Sequence, residues 1–388
     1  MTRAVLVLNA GSSSIKFALY GAEHLDVLCR GQIDGIGGTP RFVAKGARAA
    51  RLTETLALPE TATHETLTAW LLETLRARLD DVTISAAGHR VVHGGARFVA
   101  PVCIDDAVMG ELDSLVSLAP LHEPHNLATI RAVAKAWSQL PQVACFDTQF
   151  HRTQPRLAQL FALPQELTDD GVLRYGFHGL SYEYIAGVLP QHVGPRADGR
   201  VIVAHLGNGA SMCALKERRS VASTMGFTAL DGLMMGTRSG ALDPGVVLHL
   251  LQHKRMSPDE VSSLLYNKSG LLGVSGISAD VRKLEASDDP RAAEALDLFA
   301  YRAARELGSL VAVLGGLDVL VFTAGIGEHS AGVRRRICEP SAWAGVVLDL
   351  VANERGGPRI SSPRSQVDVL VIPTDEEVVI ARATRQQV

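Results

Sequence analysis

Two short apolar segments separated by a small polar turn open the chain, a pattern typical of a β-hairpin. The apolar residues 5–8 and 15–20 flank a turn at residues 9–14. The pattern returns half a chain later, where the apolar residues 201–206 are followed by the turn at residues 207–211. Two such similar hairpins indicate an internal duplication.

A third apolar segment, residues 319–324, is followed by a glycine-containing turn at residues 325–328. Apolar residues at steps of three and four predict a helix before it, ended by Gly315 and Gly316, and a second helix over residues 65–79. Strands that alternate with helices predict an α/β fold. The aligned apolar positions are Leu67, Leu71, Leu75 and Leu79 in one helix and Leu296, Phe299, Ala303, Leu307, Leu310 and Leu314 in the other.

Length and composition narrow the class of protein. A chain of 388 residues predicts two or three domains, and 47% hydrophobic with 20% charged residues predicts a globular protein with a sizeable core. A net charge of −3 disfavours nucleic acid as a main partner. Five scattered cysteines without a CxxC motif, and no apolar run long enough for a membrane span, favour a cytoplasmic protein. Residues 154–168, with Pro155 and Pro164, are a candidate hinge.

Each of the three turns that follow an apolar strand is suited to phosphate binding, because glycine and small hydroxyl residues let backbone N–H groups approach closely. One such turn alone indicates only a tight turn, whereas three in the same context favour a nucleotide site. A P-loop enzyme is disfavoured because no GxxxxGK[ST] motif occurs. Lys16 closes the first turn and would either contact a terminal phosphate or lie on the surface.

Two arginines lie in glycine-bounded segments, Arg90 within residues 88–95 and Arg238 within residues 233–240. A planar guanidinium binds carboxylate or phosphate through two parallel hydrogen bonds. A structural ion pair is the alternative for Arg90, and a solvated loop arginine is the alternative for Arg238. Asp147 follows an apolar strand, where acids often face ligands, although a capping role is the alternative.

Taken together in order, these segments resemble the acetate kinases, the acetate/propionate kinase family of the actin–hexokinase–Hsp70 superfamily. The match extends from the first strand to the last helix. The matching segments are residues 8–16, 88–95, 119–122, 146–148, 174–179, 205–209, 232–240, 322–328 and 372–377.

The resemblance implies an α/β, two-domain actin-like fold, a duplicated ribonuclease-H-like core with the nucleotide cleft between domains. It implies a discontinuous N-terminal domain, residues 1–151 plus 375–388, and a nucleotide-binding C-terminal domain, residues 152–374. It further implies a homodimer that transfers the ATP γ-phosphoryl group to acetate, reversibly and in line, with Mg²⁺ and with Mn²⁺ as a possible substitute.

The resemblance also implies site residues. The catalytic residues are Arg90, Asp147, His178 and Arg238. The substrate pocket comprises Arg90, Val92, Leu121, His122, Phe177 and Ala229. The metal-associated residues are Asn9 and Glu376. The residues that contact ATP are Ser12, Ser14, Lys16, His205, Leu206, Gly207, Asn208, Gly209, Asp280, Val281, Arg282, Gly325, Ile326, Gly327, Glu328 and His329.

The chemistry predicts an orienting role for Asp147. A short carboxylic acid is already ionised at pH 7 and needs no general base. The barrier then depends on positioning and on stabilising charge at the phosphoryl oxygens. We therefore expect Asp147 to orient Arg90 or the metal rather than to accept a proton.

Three positions depart from the usual pattern of the family. Ala229 replaces a pocket proline, Ala241 replaces an acid and His329 replaces an asparagine. The smaller Ala229 predicts measurable propionate turnover, and a propionate or butyrate kinase is the near alternative. An actin-like or Hsp70-like ATPase is the distant alternative, disfavoured because such proteins would lack the paired Arg90 and Arg238.

Overall fold

The structure is a computed structural model that describes residues 1–11, 13–53, 58, 63–120 and 122–388. Two of the predicted site residues, Ser12 and Leu121, lie outside the described residues. The chain divides into two compact units, Met1–Gln149 with Asp375–Val388, and Phe150–Thr374. Within the described residues, no helix is long and apolar enough to cross a membrane.

The first unit is built on a seven-stranded sheet with the order β4-β3-β2-β1-β5-β7-β6. Strands β1 to β4 pair antiparallel, whereas β5 is parallel to both β1 and β7. The strands are β1 (Thr2–Ala10), β2 (Ser14–Gly21), β3 (Val27–Asp34), β4 (Arg41–Lys45), β5 (Val82–Val91), β6 (Val102–Cys103) and β7 (Gln142–Phe146).

Helices of the first unit cover this sheet. In α2 the predicted leucines, with Leu79 at the C-cap, are buried in one core with β1 and β2, and Thr63 caps the N-terminus through a capping box with Thr66. The helix predicted over residues 65–79 is therefore confirmed. The helices are α1 (Ala49–Thr53), α2 (His64–Arg78), α3 (Asp106–Ser114) and α4 (Glu123–Ala136), with a 3₁₀ helix at Leu115–Leu118. A further 3₁₀ helix, Gln149–Thr153, spans the point in the chain where the second unit begins.

A five-stranded sheet of order β10-β9-β8-β11-β12 forms the centre of the second unit. The strands β8 and β9 make the predicted second hairpin, and β8, β11 and β12 run parallel. Each sheet thus contains an antiparallel hairpin whose first strand also pairs with a parallel neighbour, as a duplication predicts. The strands are β8 (Val201–Leu206), β9 (Ala210–Lys216), β10 (Arg219–Ser223), β11 (Val319–Thr323) and β12 (Asp368–Val371).

The long helix α13 has the predicted apolar face buried from Leu296 to Leu310, whereas Leu314 is only partly buried, and Gly315 ends the helix in the left-handed conformation at φ 71°. The predicted turn at residues 325–328 is wrong, because Ala324, at φ 63°, turns the chain directly into a helix. The helices are α5 (Arg156–Gln159), α6 (Gln165–Asp169), α7 (Gly179–Val188), α8 (Pro190–Val193), α9 (Pro244–Gln252), α10 (Pro258–Asn267), α11 (Gly270–Ser275), α12 (Val281–Glu285), α13 (Pro290–Leu314), α14 (Ala324–His329), α15 (Ala331–Cys338) and α16 (Leu350–Arg355), with 3₁₀ helices at Gly194–Asp198 and Glu339–Ala344.

The last helix, α17 (Glu376–Gln387), returns to the first unit and packs on β1, β5 and β7. Its N-cap Asp375 accepts a hydrogen bond from the N–H of Val378 at 3.1 Å. The hydroxyl of Tyr20 donates to Asp375 at 3.2 Å, and the guanidinium of Arg30 pairs with the same carboxylate. These contacts fix the start of α17 over the sheet.

Close packing of α17 on β5 requires glycine at position 88. A Cβ atom there would lie 2.1 Å from Oγ1 of Thr384 and 2.7 Å from Cγ2 of Ile380. We expect Gly88→Ala to lower the free energy of unfolding by about 1–3 kcal/mol through overpacking. Thermal denaturation measures this loss, and Thr384→Ala in the Gly88→Ala background should restore part of it.

Gly110→Ala is the matched control, because a Cβ on this exposed glycine of α3 would meet nothing within 4 Å. It should leave stability unchanged or raise it by about 0.5–1 kcal/mol. Equal melting temperatures for Gly88→Ala and Gly110→Ala would contradict the packing of α17 described above.

Candidate functional site

An ion pair between neighbouring parallel strands is the centre of the first unit's polar cluster. Arg90 lies near the end of β5, and Asp147 follows β7. Nε of Arg90 donates to Oδ1 of Asp147 at 3.0 Å, and Nη2 donates to Oδ2 at 2.5 Å. Nη1 donates to Oδ1 of Asn9 at 3.1 Å. The guanidinium is therefore held in one orientation by two side chains.

The charges of this cluster depend on one another. Burial disfavours the charged form of Arg90, but Asp147, together with Glu376 and Glu377, outweighs this effect and raises the arginine pKa above its ordinary value. Burial raises the pKa of Glu376, the first residue of α17, to about 7, although Arg90 opposes the rise. The side chain of Asp147 is only 2% exposed, so this carboxylate depends on Arg90 for compensation.

The predicted metal residues provide oxygen ligands. The amide of Asn9 and the carboxylate of Glu376 both lie beside Arg90. Among the described residues, no group of three or more His, Cys, Asp or Glu side chains is arranged to hold a metal ion alone. The side-chain oxygens of Asn9 and Glu376 fit Mg²⁺, which binds through one or two protein oxygens together with water and substrate phosphates.

The other predicted residues of this unit lie around the same strand ends. Lys16 on β2 is the cross-strand partner of Asn9, and its charge acts on Glu376. Ser14 begins β2, and its carbonyl accepts the N–H of Gly11 at 2.8 Å. Val92 is buried just beyond β5, and His122 is the N-cap of α4. The predicted site residues of this unit, as far as the structure describes them, therefore lie together around these strand ends.

In the second unit, His178 is held in a strained conformation directly before α7. Its φ is 58°, which a non-glycine residue adopts at a cost of about 1–2 kcal/mol. Nε2 of His151 lies 2.9 Å from the carbonyl oxygen of Phe177 and fixes the preceding peptide. Nδ1 of His178 lies 2.8 Å from Oγ of Ser211, which is also bonded to the hydroxyl of Tyr182.

The ring of His178 stacks on that of His205, with centroids 4.2 Å apart and planes inclined by 16°. Nδ1 of His205 lies 2.8 Å from Oγ of Ser181, which donates to Oγ1 of Thr374 at 2.9 Å. A serine hydroxyl thus engages Nδ1 of each ring. The stacked pair presents a fixed imidazole face rather than two mobile side chains.

Arg238 and His178 converge on the backbone of Gly209. A Cβ atom built on Gly209 would lie 3.2 Å from Nε2 of His178 and 3.6 Å from Nη2 of Arg238. Nη1 of Arg238 donates to the carbonyl of Ala229 at 2.8 Å. The backbone carbonyl of Ala229 therefore helps to hold the guanidinium of Arg238 in place. The guanidinium of Arg238, the imidazole of His178 and a glycine peptide share one small space, as an anion site requires.

A cavity of about 480 Å³ lies beside this space, within the size range of small-molecule sites. Eight of the predicted nucleotide residues line it, together with three that sequence reasoning missed. The eight are Gly207, Asn208, Asp280, Val281, Arg282, Gly325, Ile326 and His329, and the three are Ala279, Glu285 and Ser330.

The remaining predicted nucleotide residues lie outside that lining. Leu206 and Gly327 are buried in β8 and α14, and Oε1 of Glu328 accepts the N–H of Thr374 at 3.3 Å. Of the missed residues, Glu285 is held by the hydroxyl of Ser330, which donates at 2.6 Å. Ser330 is the N-cap of α15, and a cap before a helical pattern is the signal that could have identified it.

The acetokinase family model matches residues 4–382. The chain belongs to the acetokinase family. An acetate kinase of Rhodopseudomonas palustris (strain ATCC BAA-98 / CGA009) is 57% identical over 98% of each chain. An acetate kinase of Rhizobium meliloti is 48% identical over 98% of this chain and 97% of its own length.

Solved structures of family members agree with the fold. A propionate kinase from Francisella tularensis subsp. tularensis SCHU S4 superposes with a TM-score of 0.92 at 35% identity, covering 100% of both chains. The Porphyromonas gingivalis acetate kinase gives a TM-score of 0.85 at 36% identity over 99% of each. The predicted family and the predicted actin-like α/β fold are thereby confirmed, and a kinase of this family uses ATP or ADP as co-substrate.

Gly325 offers a direct test of the cavity, because it lines the cavity and a Cβ atom there would meet nothing within 4 Å apart from its chain neighbours and its own helix backbone. We expect Gly325→Leu to lower ADP affinity by about tenfold or more, because the side chain occupies ligand volume. Calorimetric titration with ADP measures the loss, and the melting temperature should stay near that of the parent protein.

Gly187→Leu is the control, since this exposed glycine of α7 also has nothing within 4 Å of an added Cβ and does not line the cavity. Unchanged ADP affinity in Gly325→Leu would exclude this cavity as the nucleotide site.

Proposed function

We propose that the protein is a kinase that transfers the γ-phosphoryl group of ATP to acetate, giving acetyl phosphate and ADP in a reversible reaction. The family and its acetate kinase members support this assignment. The observation that carries it is the arginine at the end of β5, fixed bidentately by Asp147 beside the oxygen ligands Asn9 and Glu376. Such an arginine is prepared to bind a carboxylate next to a metal-bound phosphate.

The guanidinium of Arg90 has donors left for a substrate. It carries five N–H groups, and the bonds to Asp147 and Asn9 use three of them. One N–H on each terminal nitrogen is left for two parallel bonds to the substrate carboxylate. Asp147, already engaged by Arg90, orients it and removes no proton, because acetate is ionised at neutral pH.

An acetate oxygen then attacks the γ-phosphorus while the bond from that phosphorus to the β–γ bridging oxygen breaks and ADP leaves. Mg²⁺, held by Asn9, Glu376 and the phosphates, would neutralise charge on the β- and γ-phosphoryl oxygens. Lys16 contributes a further positive charge. His178 and Arg238 donate to the equatorial phosphoryl oxygens, and their fixed orientation means that little reorganisation is needed during transfer.

We also propose that the chain has the two domains expected from the sequence, residues 1–151 with 375–388 and residues 152–374. The division of the compact units after Gln149, close to the expected junction after residue 151, supports this proposal. A homodimer in the cytoplasm is the expected state of the protein. The residues of the 480 Å³ cavity are proposed to hold the adenosine portion of ATP.

Replacing Asp147 tests the orienting role. Asp147→Asn keeps the shape but removes the charge that holds Arg90, so we expect kcat/KM for acetate to fall by about 100-fold. Trapping of acetyl phosphate as its hydroxamate gives the rate. Asp113→Asn is the control. Asp113 accepts two hydrogen bonds from Arg131 in an exposed ion pair of the same unit, so its replacement should leave the rate unchanged.

Hydroxamate formation by the parent protein tests the activity itself, independently of Asp147. If the parent is active and Asp147→Asn retains nearly full kcat with the same Mg²⁺ requirement, the orienting role is wrong.

Selectivity among short acids follows from the pocket. Ala229 is smaller than the proline usual in the family, and one methylene changes binding by only about 1–3 kcal/mol. We therefore expect propionate turnover with kcat/KM within about 200-fold of that for acetate. Rates for acetate, propionate and butyrate measure this, and Ala229→Pro should increase the preference for acetate. A parent enzyme that strictly rejects propionate would contradict the role given to Ala229.

A further inference from the structure

The first turn of α4 joins the ends of β1 and β5 where these two strands stop pairing with each other, although β1 stays paired with β2 to Ala10 and β5 with β7 to Val91. The parallel pairing of β1 with β5 stops at Leu8 and His89, and the strands end at Ala10 and Val91. Beyond the end of this pairing, the backbone groups on the facing sides of the two strands need other partners, because a buried unpaired amide or carbonyl is costly. The side chain of Asn126 provides a partner to each strand end.

Asn126 bonds to both segments at once. Its Oδ1 accepts the N–H of Val92 at 3.0 Å, and its Nδ2 donates to the carbonyl of Ala10 at 2.8 Å. The side chain is 1% exposed, so water does not replace either bond. Asparagine is suited to this bridge because its short, planar amide carries a donor and an acceptor side by side.

A second residue of the same turn strengthens the attachment. Glu123, one helical turn before Asn126, accepts the N–H of His93 through Oε2 at 3.2 Å. Two consecutive backbone N–H groups beyond β5 are therefore bound by two buried side chains of α4. Burial raises the pKa of Glu123 to about 8, as expected for a carboxyl group with one hydrogen-bond donor.

The two attached segments carry different parts of the reaction. Asn9 precedes Ala10, and Val92 follows the strand that carries Arg90. We propose that Asn126 is a positioning residue that fixes the spacing between the acid-binding end of β5 and the end of β1 that carries Asn9, and thereby sets both acid selectivity and the KM for Mg-ATP. This rests on the proposed function and adds to it a residue that touches neither substrate.

Asn126→Ala removes both bonds. We expect the KM for acetate to rise about tenfold and the ratio of kcat/KM for acetate to that for propionate to fall about fivefold, because the backbone of Val92 is released. This ratio does not depend on the fraction of active enzyme, so partial unfolding would not change it. Thr129→Val is the matched control, since Thr129 is equally buried on α4 but, among the described residues, its hydroxyl bonds only the carbonyl of His125 within the helix.

Asn126→Asp keeps the shape of the side chain and removes only one of the two bonds. It therefore also tests the proposal if the alanine variant fails to fold. Its carboxylate still accepts the N–H of Val92 but no longer donates to Ala10. We expect the ratio for acetate over propionate to stay within about twofold of the parent, and the KM for Mg-ATP to rise about fivefold. Thr129→Val should change neither value.

The proposal is overturned if Asn126→Ala folds and keeps two values within about twofold of the parent: the ratio of kcat/KM for acetate to that for propionate, and the KM for acetate. It is equally overturned if Asn126→Asp shifts the acid ratio or leaves the KM for Mg-ATP unchanged. A parent protein that makes no acyl phosphate would refute the proposed function instead, so the two failures are distinguishable.

Discussion

The buried ion pair between Arg90 and Asp147 is the interaction on which the functional account depends. Leaving one partner of such a pair uncompensated typically costs about 3–5 kcal/mol, so the two residues must occur together. The order β1-β5-β7 brings them together, because parallel neighbours end at the same edge of the sheet. Asn9, at the end of β1, takes the third position along this edge. The sheet topology therefore determines the orientation of the arginine.

The second unit meets a different constraint, since it must present donors to an anion without mobile side chains. The left-handed backbone of His178 and the serine partners of both stacked histidines fix the rings, and the carbonyl of Ala229 fixes Arg238. Donors that are oriented beforehand stabilise developing charge at little cost in reorganisation. The strained residue is thus stabilised by the hydrogen bonds around it.

Much of this could be predicted from the sequence, because the pattern is strong where burial is complete. Both hairpins, α2 and α13 follow from apolar periodicity, and Arg90 follows from the cost of burying a charge. The sequence predicts a turn where α14 lies, because two glycines within six residues disfavour a helix and the left-handed backbone of Ala324, at φ 63°, has no signal in the sequence. Asn126 carried no signal, because its bonds reach 34 and 116 residues along the chain.

The most direct measurement is kcat/KM for acetate in Arg90→Lys, with the KM for ATP determined alongside. Lysine keeps the positive charge but loses the planar set of donors that binds Asp147 and a carboxylate together. The account predicts a fall of about 100-fold for acetate with the KM for ATP nearly unchanged. If kcat/KM for acetate in the lysine variant stays within about tenfold of the parent value, charge alone suffices, and the central role of the oriented guanidinium is contradicted.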